Sequence, residues 1–131
     1  MRENGTYRNL IDSVQRLYED GLLEDGDIRN TAFSWTVGPN YTRLGYCATF
    51  ARTVAVSSVL DDLSIPEFVL DYVVFHESMH LRQGYRPFDT NPHDPQFRAW
   101  MKRFPRAKEA EAILQRIPLM NPGRTRRIRR G

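Results

Sequence analysis

Cysteine is nearly missing from this chain of 131 residues. Cys47 stands alone, which excludes an internal disulfide and a cysteine-based zinc ribbon. In its β-rich surroundings it reads as a small apolar residue buried in a strand, with a thiol ligand to a metal as the alternative. Long apolar runs are missing as well. No stretch approaches the ~20 residues that cross a bilayer. Met1 to Leu10 is polar where a secretory signal would carry its apolar core. The expectation is a cytoplasmic protein with no membrane partner. Histidine is scarce too, with three in the whole chain, and where those three fall carries most of the functional argument.

What is present suits one globular domain. Hydrophobic residues make up 40% and charged residues 27%, enough of each for a modest core and a solvated surface. The formal net charge is +3, but five of the positive charges are Arg124, Arg126, Arg127, Arg129 and Arg130, so the rest of the chain sums to −2. The domain is therefore expected over residues 1–121, with a basic, flexible tail over 122–131. Such a tail is most often a solvated segment. Nucleic acid is the partner its arginines would suit.

Helical spacing of Leu10, Val14, Leu17 and Tyr18 predicts a first helix from Thr6 to Asp20, ended by Gly21 and Asp25-Gly26-Asp27. Three runs rich in β-branched and aromatic residues follow: Ala32 to Val37, Tyr41 to Phe50, and Arg52 to Leu60. Their short connections predict an antiparallel three-stranded meander. From Ser64 and Pro66 to Arg82 the pattern is apolar around most of a helix, which predicts a buried central helix. Asp94-Pro95 marks the N-terminus of a short helix with Phe97, Trp100 and Met101, and a last helix runs from Arg106 to Ile117. The fold class is α+β.

Inside the buried helix lies His76-Glu77-Ser78-Met79-His80, an H-E-x-x-H pattern. Residues four apart on a helix differ by only ~40° and ~6 Å of rise, so both imidazoles face one way and can reach one zinc ion. Glu77 stands ~100° further round, able to reach a water at the metal without ligating it. A catalytic zinc wants three protein ligands and an open position. His93, the last histidine, precedes the Asp94 cap and is the expected third ligand. The competitors are Glu109 and Glu111 on the last helix, since zinc accepts two histidines and a glutamate equally well. Two histidines merely satisfied by hydrogen bonds are the bland alternative, but His-Glu-His in an apolar helix is costly without a metal.

The stretches Ser34-Trp35-Thr36, Thr42-Arg43-Leu44-Gly45-Tyr46-Cys47, Val54-Ala55-Val56-Ser57, Val73 to His80 and His93-Asp94-Pro95-Gln96-Phe97 together resemble the SprT-like metallopeptidases. The similarity covers Trp35 to Trp100. It implies a zincin-like domain with helices on a small antiparallel sheet, zinc on His76, His80 and His93, and Glu77 as general base and acid. Many of those proteins continue into a cysteine-rich ribbon, which this chain lacks, and carry an apolar residue where this one has Ser78. Minigluzincins, with a glutamate third ligand, are the second family it resembles.

The reading is a zinc metallopeptidase acting on a protein or peptide. Tyr85 or Arg86 would steady the oxyanion, and an edge strand within Arg52 to Ser58 would hold the substrate backbone. The alternative is a catalytically silent, zinc-stabilised domain that contacts nucleic acid through its arginine tail.

Overall fold

The computed structural model describes residues 3–85 and 91–120. The arginine tail, the expected boundary at residue 121 and Arg86 lie outside the described residues. Among these residues five helices accompany a three-stranded sheet in an α+β arrangement: α1 (Leu10–Glu19), α2 (Asp25–Ile28), β1 (Ala32–Trp35), β2 (Gly45–Ala48), β3 (Thr53–Val56), α3 (Glu67–Gln83), α4 (Pro95–Met101) and α5 (Ala107–Arg116). Short 3-10 turns follow β3 and α5.

The first helix begins later than its periodicity predicts. The backbone N–H groups of Thr6, Tyr7 and Arg8 are taken by the carboxylate of Asp61, at 2.6, 3.0 and 2.9 Å, so this segment is held as a loop. Asn9 then caps α1 by accepting from the Ile11 amide. Asp25-Gly26-Asp27, expected only to break structure, forms the single turn α2, fixed by reciprocal capping between Glu24 and Asp27.

The sheet corrects the meander. Its order is β1-β3-β2, with β1 and β3 parallel and β3 and β2 antiparallel, so it is mixed. After β1 the chain does not turn back. Residues 36–44 cross the end of the sheet, with Asn40 accepting from the amides of Thr42 and Arg43 where a longer strand was expected. Burial explains the order. Val54, Ala55 and Val56 of β3 are wholly buried, whereas every residue of β2 is half-buried. The most apolar strand occupies the centre and Gly45-Tyr46-Cys47-Ala48 is left at an edge. The substrate strand expected within Arg52 to Ser58 is thus the central one, with both edges already paired.

Helix α3 is the axis of the core, and it packs against α1, α4, α5, β2 and β3. Val69, Leu70, Val73, Val74, Phe75 and Met79 are buried on several sides of it. It starts at Glu67, with Pro66 rather than Ser64 at the cap, and Gly84, at a φ of 81°, ends it by donating to the carbonyls of His80 and Leu81. Arg16 of α1 grips Asp71 of α3 in a two-pronged pair, Nε and Nη2 donating at 2.9 and 2.8 Å. Arg82, near the other end of α3, holds Asp27 of α2 and lies 5.2 Å from the ring centre of Trp100. No helix among the described residues is long and apolar enough to cross a membrane.

Candidate metal centre

Because His76 and His80 are one turn apart on α3, their rings emerge side by side, with the two Nε2 atoms 3.2 Å apart. Asp94 caps α4 by accepting from the Phe97 amide at 2.9 Å, and Pro95 fills the first helical position. That cap fixes the approach of the preceding loop and brings the exposed His93 in, its Nε2 3.2 Å from that of His80. The ligand atoms of the three histidines all lie within 4.8 Å of one another. Tetrahedral nitrogens at ~2.0–2.1 Å from a zinc ion stand about 3.3 Å apart, which the two 3.2 Å separations match.

The rings are held from behind. Gln83, one turn beyond His80, accepts from His80 Nδ1 at 3.3 Å, which leaves Nε2 as the free lone pair. The same amide donates to the carbonyl of Pro92 at 2.8 Å and so ties the His93 loop to α3. Phe97, buried, stacks on His80 at 4.2 Å and 15° and meets His76 edge-on at 5.2 Å. Nδ1 of His76 is buried without a hydrogen-bond partner. Burial, followed by the neighbouring rings of His80 and His93, pushes the His76 imidazole down to about 4. Burial also lowers His80, although the Gln83 bond opposes it. Both are therefore neutral at pH 7, the state that ligates a metal.

Glu77 faces the adjoining cleft of about 530 Å³, lined by Arg43, Gly45, Tyr72, His76 and Glu111 among others. Burial pushes its carboxyl up to about 7, with the Arg43 guanidinium pulling the other way. Strand β2 presses directly on it. A Cβ on Gly45 would stand 2.8 Å from Val73 Cγ1 and 3.0 Å from Glu77 Cγ. Only a glycine lets the strand come this close.

The remaining expectations divide. Glu109 is exposed and paired with Arg106 at 2.7 Å, and Glu111 accepts from the Tyr72 hydroxyl at 2.6 Å. Neither joins the histidine cluster, which among the described residues is the one group able to hold a metal. Cys47 is half-buried against the core and is not part of that cluster; burial, then the charge of Glu77, raises its thiol. Tyr85 packs on Phe50 with ring centres 5.1 Å apart and does not line the cleft. The positive charge that does line it is Arg43, which was overlooked in the sequence. Gly45 and Gln83 were overlooked too, although a glycine within a strand and an amide three residues past a ligand histidine are legible signals.

The sequence model of the SprT-like family matches residues 8–116. The chain belongs to that family. No curated protein matches its sequence significantly. The matched SprT-like region runs from the Asp61-bound loop to the end of α5 and so contains the whole histidine cluster and the cleft.

Proposed function

We propose that this SprT-like protein is a zinc-dependent metallopeptidase. The observation that carries the reading is a half-buried carboxylate, Glu77, raised toward neutrality on the same helix as two members of a three-histidine cluster. His76, His80 and His93 are the proposed ligands. Zinc held there would supply Lewis acidity, polarising a carbonyl and lowering the pKa of water toward ~7.

The chain's own residues do the rest. Glu77 takes a proton from the attacking water as its oxygen bonds to the carbonyl carbon, and returns it to the amine nitrogen as the C–N bond breaks. A carboxyl poised near neutrality is suited to both transfers. Arg43, beside Glu77, is the proposed partner for the negative charge that grows on the carbonyl oxygen, in place of Tyr85. The free edge of β2, at Gly45, is the proposed seat for an extended substrate backbone. A cytoplasmic setting belongs to the same reading, in keeping with a single unpaired cysteine.

The silent binding domain has no use for a carboxylate kept near neutrality beside the ligands, and Glu77 therefore favours the enzyme. Glu77→Gln tests it. The variant should bind one zinc as the parent does and keep its circular dichroism, while cleavage of casein falls by roughly 10²- to 10⁴-fold. Undiminished cleavage would remove Glu77 from the chemistry.

A further inference from the structure

The cleft has a second wall that peptide hydrolysis leaves unexplained. Glu111 projects into it from α5, across from His76 and Glu77 on α3. Tyr72 fixes the carboxylate by donating to one oxygen at 2.6 Å. Tyr72 is itself buried and lies one turn before His76, with ring centres 6.1 Å apart. The carboxylate is thereby held in register with the histidines. Among the described residues no partner takes its second oxygen and no cation pairs with Glu111. Glu109, two positions earlier on the same helix, already has Arg106.

We propose that Glu111 is a specificity-determining residue that receives the ammonium or guanidinium of a substrate Lys or Arg at a subsite beside the scissile bond. The inference rests on the peptidase reading. Leu44, Val73 and Leu114 line the same cleft and provide apolar contact for the methylene stem, as long cationic side chains require. A volume of about 530 Å³ admits such a side chain together with backbone. Arg43, which leans over the Tyr46 ring at 4.8 Å and exerts its charge on Glu77, repels a cation from the general base. That leaves the Glu111 end as the favourable one. An acidic side chain would meet the opposite field.

The test uses the zinc-loaded full chain and matched peptides that differ at one position, Lys, norleucine or Glu, scanned through the residues flanking the cleaved bond. The parent should prefer Lys to norleucine by roughly 10- to 100-fold in kcat/KM at one position, the worth of a charge-assisted hydrogen bond. Glu111→Gln should level that preference and Glu111→Lys should turn it toward Glu. Tyr72→Phe, which frees the carboxylate, should narrow it with zinc content unchanged. Ratios compared within one protein are insensitive to any loss of folded fraction. Identical ratios in parent and variants overturn the proposal and leave the peptidase intact. If the parent cleaves none of the peptides, the peptidase reading falls, and fluorescence anisotropy of the same labelled peptides decides this one. Lys-peptide binding that weakens in Glu111→Gln supports it; equal binding by both proteins overturns it.

Discussion

At the scale of single residues, the least conspicuous one in the cleft is Gly45. It carries no chemistry, yet Glu77 occupies the space its side chain would need. An added methyl overlaps Val73 and Glu77 together, and Val73 is packed into the core and cannot retreat. The carboxylate is the softer neighbour and should be displaced. Gly45→Ala is therefore expected to bind zinc normally and lose roughly 100-fold in kcat/KM, the usual cost of moving a catalytic group by ~1 Å. Steady-state kinetics beside metal analysis measures both, and unchanged kinetics would show that β2 does not set the position of Glu77.

Among the elements, α3 and α4 are joined through Gln83, which touches the His80 ring on one side and the His93 loop on the other. Gln83→Ala keeps a helix-favouring residue near the end of α3, so the fold should hold. Zinc affinity is expected to fall ~10- to 100-fold, read by competition with a chromophoric chelator, while Gln115→Ala on the cleft wall leaves it unchanged. Equal affinities in the two variants would deny Gln83 its orienting part. The elements also show what was legible beforehand. α3 and the start of α4 were readable because their signals are local: an apolar helical pattern ended by Gly84, and Asp94-Pro95 as cap and first residue. The histidine cluster followed from those two elements and a census of three. Strand order was not readable, because it depends on which strand buries best against helices far away in sequence. Nothing near Val54-Ala55-Val56 announces that it will divide β1 from β2. The carboxylate of Asp61 likewise shortened α1 from more than fifty residues away. Glu111 was readable only as a competing third ligand, because Tyr72, which holds it, lies on a different helix.

For the whole molecule, Asp27 and Arg82 are a clasp between α2 and α3, with Arg82 reaching on to Trp100 of α4. Burial alone would raise the Asp27 carboxyl, but the Arg82 hydrogen bonds and the Glu24 amide outweigh it and bring it below its ordinary value. A carboxyl so lowered stabilises the fold fully above its unfolded value of ~3.9, and that stability is lost as pH falls through the lower folded value. Melting temperatures of the parent and Asp27→Asn should differ by a constant amount from pH 7 to about 5 and converge below about 4. A gap that persists to pH 2 would assign the clasp to packing rather than charge. Neighbours in sequence and neighbours in space also divide the cleft's parts between two moments in the life of the chain. The three histidines fall between residues 76 and 93, a short separation along the chain that costs little entropy to close, and they can meet as soon as α3 and the start of α4 form. The wall bearing Glu111 belongs to α5 and is synthesised after both α3 and the start of α4. On the peptidase reading a nascent chain would hold its zinc before it has a complete mouth, so that acquiring the ion and acquiring discrimination would be separate events in its synthesis.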